Sequence, residues 1–411
     1  MKIGIIGAGA SGLCAAVTCA RCGNEVTLIE HGERAGRKLL STGNGKCNLS
    51  NTDRSLSHYH GDPAFIKNVY DRVSFDSVIS FLTGLGIFTR NRNGYLYPYS
   101  EQASAVLDVL RFAVRDTGVK LCTCEHVCGI TVEGSGRLSV HTEKPSETDR
   151  SFDRLILCTG SRAAPVTGSD GSGYELARKL GHSIKEPLPA LTYLRSDAPY
   201  CRELKGIRLS GRVTVFFDKE MAGTEEGELQ FTETGISGIP VFQLSHLVSE
   251  RLFEKKGRGR ISASIDLLPF MSVNELASFL KDRKERWPMR SAGELLTGLL
   301  PKNMSFLMNR LCGIKNSLRV SELSDEQLLK LSESIKGLSF NITGTGGFDR
   351  AQVCAGGVRT EEITDRLESE LVKGLYFAGE IIDVHGDCGG YNLTWAFATG
   401  ILAGISASEE Y

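Results

Sequence analysis

The pattern of apolar and polar residues begins with a short apolar strand, Ile3 to Ile6, a glycine-rich turn and a predicted helix from about Ser11 to Cys22. A second strand runs from Glu25 to Ile29. Apolar residues then recur at three- and four-residue steps from Pro63 to Leu85 and from Glu101 to Thr117, which predicts further helices. This order is typical of an α/β nucleotide-binding fold.

The pattern changes in the middle of the chain. Four short strands are predicted first: Lys120 to Thr123, Val127 to Glu133, Leu138 to Thr142 and Asp153 to Leu157. From about Leu188 to Pro269 apolar and polar residues alternate, which predicts a β-rich insert. Three or four helices are expected between Ser272 and Leu331, and a final strand (374–378) and helix (about 392–406) close the chain.

Two of the predicted helices carry start signals. Ser272 and Ser324 are expected to be N-caps, since Glu275 and Gln327 follow three residues later and can complete capping boxes. These helices are predicted to form a small helical subdomain.

The composition limits the number of domains and the classes of partner, but it identifies no catalytic group. The 411 residues exceed what one core usually holds, so two or three domains are expected. With 48 basic and 49 acidic residues, no long-range field favours nucleic acid or a membrane. No signal peptide or bilayer-spanning apolar run is evident, so a cytoplasmic protein is expected. The 12 cysteines are scattered, which indicates free thiols, and we expect no metal site.

The turn after the first strand matches a dinucleotide-binding fingerprint. Gly7 permits the tight turn, Gly9 lets the backbone approach a pyrophosphate, and Gly12 lets the helix pack on the sheet. The helix start near Ala10 and Ser11 directs free N–H groups at the phosphates.

Glu30 ends the second strand, at the position where an acidic residue meets the adenosine ribose. Its carboxylate would accept from the ribose hydroxyls and repel a 2′-phosphate. This site should therefore hold FAD or NAD but not NADP.

A second glycine-rich loop near the end of the chain favours FAD, which is longer than a nicotinamide dinucleotide. Asp383 could accept from ribityl hydroxyls. The run Gly389-Gly390-Tyr391-Asn392 opens the last helix, whose N–H groups can face the pyrimidine edge of the flavin. Four residues that follow strands are also expected at the cofactor: Thr159, Gly160, Gly379 and Glu380.

These motifs together resemble the bacterial NAD(P)/FAD-dependent oxidoreductases, flavoproteins with two dinucleotide-binding folds that include aminoacetone oxidase and a dehydro-bile-acid reductase. The matching blocks span nearly the whole chain: Gly7 to Gly12, Glu30, Gly36 to Lys38, Thr42 to Asn48, Gly168 to Tyr174, Thr234 to Gly238, Ala355 to Val358 and Gly379 to Asn392.

The resemblance implies an α/β fold with a Rossmann-like, glutathione-reductase-like FAD-binding domain, an inserted β-barrel-like domain and a small helical subdomain. It also implies adenine-side contact near Val127 and flavin contact by Lys38, Thr42, Gly43 and Gly390 to Leu393. Glu233 departs from the family pattern, since relatives often show histidine there, and this bears on the substrate side rather than on FAD.

Five parts of the chain are predicted. They are 1–187 (first part of the FAD-binding domain), 188–270 (inserted β-rich domain), 271–335 (helical subdomain), 336–358 (return through the β-rich domain) and 359–411 (second part of the FAD-binding domain).

The catalytic groups are less clear, because hydride transfer at flavin N5 needs positioning more than a protein nucleophile. His385 and Cys388 precede the flavin-facing helix and are candidates for a proton donor. His385 and Asp387 could instead fix the loop by hydrogen bonds. Tyr97 and Tyr99 could line the substrate side.

The first functional interpretation is an FAD-dependent oxidoreductase for a small or medium organic molecule, such as a steroid-like enone or an amine, with NADH or NADPH as a transient donor. The alternatives are a tRNA-modifying flavoprotein that grips RNA through Lys255 to Arg260 and Lys281 to Arg290, and a non-catalytic flavin-binding module. Acidic residues interrupt both basic runs and no aromatic platform is evident, so a nucleic-acid partner is not expected.

Overall fold

The computed structural model describes residues 1–143 and 150–409, and the chain divides into two compact units. Unit 1 comprises Met1–Pro189 and Phe348–Tyr411, and unit 2 comprises Ala190–Gly347. Positions 144–149 of the first predicted part and 410–411 of the last lie outside the described residues. The five predicted boundaries stay predictions.

The first part of unit 1 alternates short strands with helices. Its strands are β1 (Lys2–Ile6), β2 (Glu25–Ile29), β3 (Ser50–Asn51), β4 (Tyr59–His60), β5 (Thr89–Arg92), β6 (Tyr95–Pro98), β7 (Lys120–Cys122), β8 (Val127–Val132), β9 (Leu138–Thr142), β10 (Ser151–Phe152), β11 (Arg154–Leu157) and β12 (Ile184–Ala190), the last of which reaches the boundary between the units. Its helices are α1 (Ala10–Arg21), α2 (Arg37–Ser41), α3 (Pro63–Arg72), α4 (Phe75–Gly84), α5 (Ala103–Asp116) and α6 (Ser172–Lys179).

Unit 2 and the return to unit 1 complete the set. The strands of unit 2 are β13 (Leu194–Ser196), β14 (Arg208–Phe217), β15 (Glu220–Thr232), β16 (Gly235–Gly238), β17 (Ile261–Asp266) and β18 (Leu338–Thr345). Its helices are α7 (Cys201–Leu204), α8 (Ile239–Glu254), α9 (Val273–Arg286), α10 (Lys302–Leu311) and α11 (Asp325–Lys336). Unit 1 ends with β19 (Val353–Val358), β20 (Leu375–Phe377), β21 (His385–Gly386) and α12 (Tyr391–Ser408).

The central sheet of unit 1 has five parallel strands in the order β20-β11-β1-β2-β7. Strands β20, β11, β1 and β2 are mostly apolar and buried, as in sheets covered on both faces, with Ile3, Ile5 and Leu28 fully buried, whereas the edge strand β7 is mostly exposed. Because parallel strands end at one edge, the residues that follow β1, β2, β11 and β20 meet there, as the sequence predicts for a nucleotide site.

The first and last long helices of unit 1 pack against each other. A Cβ at Gly400 of α12 would lie 2.3 Å from Ser11 O, and one at Gly404 would lie 2.7 Å from Thr18 Cβ. Glycine at these two positions therefore allows α12 to approach the backbone of α1 closely.

The predicted helix between Pro63 and Leu85 is two helices in the structure. Ser74 interrupts it in an extended conformation, and its side chain accepts from Ser77 N and caps α4. The N-cap signal overrides the continuous apolar period.

Unit 2 contains a closed barrel in the strand order β13-β16-β15-β14-β17-β18, so the predicted fold class with its barrel-like insert is confirmed. Helices α9 and α11 start with the predicted capping boxes at Ser272 and Ser324. Strands β13 to β17 lie in the predicted β-rich stretch 188–269. The same stretch contains α8, a 16-residue helix that the sequence analysis did not predict, with Pro240 in its first turn and Val241, Leu244 and Val248 buried. None of the helices in the described residues combines the length and apolarity that a membrane crossing requires.

Candidate functional site

The glycine turn after β1 has the geometry of a phosphate cradle. Gly7 has a φ of +98°, and a Cβ there would lie 2.4 Å from Cys158 O. A Cβ at Gly12 would lie 1.9 Å from Gly7 O, whereas one at Gly9 would meet no atom within 4 Å. The first intrahelical bond of α1 runs from Leu13 N to Gly9 O, so the N–H groups of Ala10, Ser11 and Gly12 precede it. Open space beside Gly9 and three donors at a helix start fit a pyrophosphate.

Glu30 stabilises this turn and lies beside it. Its Oε2 accepts from Ala8 N at 2.8 Å and its Oε1 from Gly32 N at 2.7 Å. A carboxylate offers about four acceptor positions, so two remain for hydroxyl groups. The segment before Val127 joins the same place, since Glu125 N donates to Glu30 O at 3.0 Å, and Val127 itself is buried.

Thr159 and Gly160 follow β11 at the same sheet edge. The Thr159 side chain packs against α6, because a Cβ at Gly173 would lie 1.8 Å from Thr159 Oγ1. Gly160 has a φ of +75° and approaches Ser169 Oγ, which a Cβ would meet at 2.9 Å. These residues therefore offer backbone rather than side-chain groups to a cofactor.

Lys38 and Glu380 form a partly buried ion pair between distant parts of the chain. Lys38 Nζ lies 2.6 Å from Glu380 Oε2, and Ser161 Oγ donates to the same oxygen at 3.1 Å. Gly379, with a φ of +83°, precedes this pair and packs on Ser11, whose Oγ a Cβ would meet at 2.5 Å. The strand end at β20 is thus fixed against the start of α1.

Asp383 already makes two contacts within the protein. Its Oδ1 accepts from Gly356 N at 3.0 Å, and its Oδ2 lies 3.2 Å from Lys185 Nζ. The carboxylate therefore ties β19 to the loop after β20, and its expected contact with a ribityl chain stays a prediction.

The loops 42–48 and 389–390, which are predicted to contact the flavin, pack against the small sheet β3-β6-β5. Gly43 has a φ of +56°, and a Cβ there would lie 2.9 Å from Asn48 N and 3.5 Å from Tyr97 Cε1. A Cβ at Gly390 would lie 2.7 Å from the backbone of Ser50. Thr42 is fixed through Oγ1, which donates to Leu39 O at 2.7 Å.

Helix α12 begins at this same place. Gly389 and Gly390 both have positive φ, and the first helical bond runs from Thr394 N to Gly390 O. The N–H groups of Tyr391, Asn392 and Leu393 precede that bond. Asn392 fixes the preceding loop, since its Oδ1 accepts from Gly386 N at 2.8 Å and its Nδ2 donates to Gly386 O at 2.7 Å.

The two predicted catalytic residues differ in their surroundings. His385 is buried in β21 and lies opposite His60 of the paired strand β4. The rings of His385 and His60 stack with 4.7 Å between their centroids. Burial, with a smaller contribution from Asp387, raises the pKa of the Cys388 thiol to about 12. Cys388 is therefore a protonated thiol and a weak acid at neutral pH.

The sequence analysis named His385 and Asp387 but missed the side chains that surround Asp387 with them, a group that we call the histidine cluster (Asp53, His58, His60, His385 and Asp387). Asp387 Oδ2 lies 3.0 Å from His58 Nδ1, and its Oδ1 lies 3.0 Å from His60 Nε2. On its other side His58 Nε2 lies 3.1 Å from Asp53 Oδ2. The sequence does place two of the chain's 8 histidines, His58 and His60, on either side of one residue, and this spacing could have indicated a histidine site.

The hydrogen bonds of the cluster favour charged side chains. Burial raises the pKa of Asp387, but the bonds from His60 and His58 outweigh it, and the pKa lies below its ordinary value. Burial lowers the pKa of His58, but the bonds to Asp387 and Asp53 outweigh it, and the pKa lies above its ordinary value. Asp387 is thus an anion held between two imidazoles.

The other predicted features lie as follows. Tyr97 belongs to β6 beside Gly43, whereas Tyr99 is 71% exposed and carries Arg90 over its ring. Glu233, in unit 2, is an exposed partner of Lys205, with 2.9 Å between Lys205 Nζ and Glu233 Oε2.

The basic side chains of the two runs differ in their contacts with other side chains of unit 2. In the run from Lys281, Lys281 pairs with Asp325, and Arg283 and Arg290 both lie over the ring of Trp287. The prediction that no aromatic stacking platform accompanies these runs stays a prediction: Trp287 lies within this run, but the chain's own guanidinium groups lie over its ring. The cations of the run 255–260 are exposed.

Comparison with known proteins covers the whole length. The family described as HI0933-like protein Rossmann domain matches residues 1–406. The 3-dehydro-bile acid delta(4,6)-reductase of Clostridium scindens is 40% identical over 415 residues, which cover 100% of this chain and 99% of the relative. A ribosomal RNA dihydrouridine synthase of Haemophilus influenzae is 30% identical over 412 residues, 99% of this chain and 98% of the relative.

Solved structures share the fold at low identity. The 3-ketosteroid delta1-dehydrogenase from Sterolibacterium denitrificans has a TM-score of 0.53 and 11% identity, with 99% of each chain covered. The 3-ketosteroid-delta4-(5alpha)-dehydrogenase from Rhodococcus jostii has a TM-score of 0.50 and 16% identity, with 99% of this chain and 96% of that chain covered.

Proposed function

This chain belongs to the family of HI0933-like proteins and is an FAD-dependent oxidoreductase, and we propose that it reduces a carbon–carbon double bond conjugated to the carbonyl group of a steroid-like molecule. The observation that carries the proposal is the 40% identity, over the whole chain, to a reductase named for 3-dehydro-bile acids. Such substrates and simple enones share one chemistry, in which a hydride and a proton are added across the double bond.

The residues around the sheet edge fit FAD, and we propose their roles. The backbone at Gly9 and the start of α1 hold the pyrophosphate, because the space beside Gly9 is open and the first N–H groups of α1 can donate hydrogen bonds there. Glu30 holds the adenosine ribose, and the neighbourhood of Val127 holds the adenine, since both segments meet at the end of β2. FAD, when bound, supplies the hydride exchange that the reaction needs.

On the flavin side, different residues stabilise the charge of the flavin, orient the cofactor and shape the pocket. The N–H groups at the start of α12 stabilise negative charge on the pyrimidine edge, as a helix N-terminus does. Lys38 and Glu380 orient the middle of the cofactor from opposite chain segments. Thr42 and Gly43 shape the wall formed with Tyr97.

NADH or NADPH is proposed as the transient electron donor. The Glu30 carboxylate disfavours a 2′-phosphate beside it, so NADPH would bind at another site. His385 remains the first predicted proton donor, whereas the raised pKa of Cys388 argues against its thiol in this role.

Reduction of uridine in ribosomal RNA is the second candidate. It is favoured by the relative at 30% identity with that name, and uracil also contains a double bond conjugated to a carbonyl group. The exposed cations of the run 255–260 could contact a phosphate backbone. This candidate predicts binding that weakens steeply with added salt.

The test uses the purified holoprotein, reduced anaerobically with dithionite so that no natural donor is needed. Addition of 4-androstene-3,17-dione, the ligand of one structural relative, should restore the oxidised flavin spectrum and give the saturated ketone. The corresponding saturated diketone is the matched control and should restore nothing. Recovery with ribosomal RNA fragments but not with the steroid would support the second candidate and overturn the first. A colourless protein that releases no FAD on denaturation would contradict both.

A further inference from the structure

The hairpin formed by β5 and β6 in unit 1 carries two arginines on one of its faces. In the antiparallel pairing, Arg90 lies opposite Tyr97. Two positions along each strand, Arg92 lies opposite Tyr95. Residues that pair directly, and residues two positions apart on one strand, share a face of the sheet. The two guanidinium groups therefore lie on the same face as Tyr95 and Tyr97.

This face of the hairpin is the one that meets the loops 42–48 and 389–390. A Cβ at Gly43 would lie 3.5 Å from Tyr97 Cε1, and one at Gly389 would lie 3.3 Å from Tyr95 Cε1. Both loops are proposed to contact the flavin. The arginines therefore lie on the face of the hairpin that adjoins the proposed flavin site.

A third cation and one carboxylate complete the group, which we call the cationic cluster (Lys46, Arg90, Arg92 and Glu101). Glu101 Oε1 lies 3.1 Å from a terminal nitrogen of Arg90 and 2.9 Å from one of Arg92. Glu101 Oε2 lies 3.8 Å from Lys46 Nζ. One carboxylate thus faces three cations, and it balances only one of their three positive charges.

The carboxylate lies deeper than the cations around it. The Glu101 side chain is 20% exposed, whereas the side chains of the three cations are between 42% and 49% exposed. The backbone of Glu101 is fixed at the end of β6, since its N–H donates to Pro98 O at 2.9 Å. A carboxylate accepts about four hydrogen bonds, whereas two guanidinium groups and an ammonium group offer far more donors. Glu101 therefore holds three long side chains in place while N–H donors remain on their exposed side.

The remaining donors fit a second anionic group, either a carboxylate or a phosphate. A guanidinium group presents planar pairs of N–H donors that match two oxygens of such a group. Apolar surface adjoins these charges, because the exposed ring of Tyr99 lies 5.6 Å from the guanidinium carbon of Arg90. A ligand with an apolar body and an anionic end matches both features.

We propose that the cationic cluster binds a carboxylate of the substrate, so that the preferred substrate is a steroid-like enone that carries an acidic group. This inference rests on the proposed function. Binding of the acidic group fixes one end of the molecule and so orients the double bond at the proposed flavin site. The carboxylate itself takes no part in the chemical step. A phosphate of a nicotinamide donor has the same charge and is the competing source of the anion.

The first test measures binding to the oxidised holoprotein, in which no reduction of the enone occurs. Equilibrium dialysis compares 3-oxo-4-androstene-17-carboxylate with the neutral 4-androstene-3,17-dione. The acid should bind about tenfold more tightly at low salt, and added salt should weaken the binding of the acid alone. An acid that binds no more tightly than the neutral steroid, or whose affinity does not change with salt, would overturn the proposal.

Variants then locate the anion. Arg90→Gln combined with Arg92→Gln should weaken binding of the acid about tenfold and change binding of the neutral steroid less than about twofold. Replacement of both arginines by lysine should keep part of the affinity for the acid, since the charge remains and the planar donor pair is lost. Unchanged affinity for the acid, or equal losses for the two steroids in both double variants, would refute the assignment.

The matched control is Arg115→Gln in α5. Arg115 is also an exposed arginine that pairs with a carboxylate, that of Asp116, and lies over an aromatic ring, that of Phe112. This variant should leave the affinities for both steroids unchanged. A loss of affinity for the acid as large as that in the double variant would show that the effect is not specific to the cationic cluster and would contradict the proposal.

Two further measurements distinguish the source of the anion and the proposed function. Anaerobic reduction of the flavin by NADPH and by NADH should be the same in the wild type and in the glutamine double variant. A slower reaction with NADPH alone, with binding of the acid intact, would assign the cluster to the 2′-phosphate and overturn the proposal. If neither steroid reoxidises the dithionite-reduced wild-type protein, the proposed function fails, and the dialysis measurements alone decide whether the cluster binds the carboxylate.

Discussion

Lys38 Nζ lies 2.6 Å from Glu380 Oε2, although 342 positions of sequence separate the two residues. This contact joins the segment after β2 to the segment after β20. Lys38→Met should lower the free energy of unfolding of the apoprotein by about 2 kcal/mol, because Glu380 then keeps Ser161 as a donor but loses its charged partner. Urea denaturation measures the change.

The matched control for this variant is Lys2→Met. Lys2 Nζ lies 4.0 Å from Glu25 Oε2 and both side chains are exposed, so the change should stay below about 0.5 kcal/mol. Equal losses of unfolding free energy in both variants would show that the Lys38–Glu380 pair stabilises the protein no more than an exposed ion pair does.

Gly9 and Gly12 should respond differently to an added side chain. A Cβ at Gly9 meets open space, so Gly9→Val should fold normally but bind FAD more than about tenfold more weakly, because the side chain fills the proposed pyrophosphate site. A Cβ at Gly12 lies 1.9 Å from Gly7 O, so Gly12→Val should lower stability by about 3 kcal/mol even without FAD. Thermal denaturation and titration with FAD separate the two effects. Retention of FAD by Gly9→Val with wild-type affinity would argue against the proposed contact.

The contribution of His58 to stability should depend on pH. Its pKa lies above the ordinary value of 6.5, since the bonds to Asp387 and Asp53 outweigh burial. A raised pKa in the folded state contributes stability that is fully present below the unfolded pKa and is lost as the pH rises through the folded pKa. The loss of unfolding free energy in His58→Gln should therefore be larger near pH ~5.5 than near pH ~9.

The partner carboxylate provides the control for this pH dependence. In an Asp387→Asn background, the loss of unfolding free energy caused by His58→Gln should differ less between the two pH values. One of the two carboxylates that raise the pKa of His58 is then absent. A difference of the same size in both backgrounds would mean that Asp387 does not raise the pKa of His58.

Cys388 should be dispensable for chemistry. Its thiol has a pKa raised to about 12, mainly by burial, so iodoacetamide should modify it slowly at neutral pH. Cys388→Ser should keep steroid-dependent flavin reoxidation within about threefold of wild type, since no step depends on this thiol. Peptide mapping after alkylation and stopped-flow absorbance test these expectations, and a loss of about a hundredfold would restore Cys388 as a catalytic candidate.

The cofactor half of the fold was predictable because its signals are local. The turn from Gly7 to Gly12, the acid at Glu30 and the start of α12 each lie within a few residues of one strand or helix boundary. The capping boxes at Ser272 and Ser324 are equally local and were predicted correctly. Helix α8 was missed because strands surround it on both sides, and the alternation of its neighbours was extended across it.

The histidine cluster was not predictable in the same way. Strands β4 and β21 have two residues each, too few for a periodic signal, and His60 and His385 meet only through their pairing. The roles of the acids after β20 also depend on tertiary contacts. Asp383 and Glu380 look equivalent in the sequence, yet one contacts Gly356 and Lys185 and the other contacts Lys38.

The packing of α12 on α1 sets an order of events during protein synthesis. The fingerprint at Gly7 to Gly12 leaves the ribosome before unit 2 is made, but Gly400 and Gly404, which receive the backbone and side chains of α1, are made after unit 2. Strand β20, at the edge of the central sheet, is also late. The nucleotide site can therefore mature only after unit 2 and α12 have both emerged, and a nascent chain that stalls within unit 2 would expose an unfinished sheet edge rather than bind flavin.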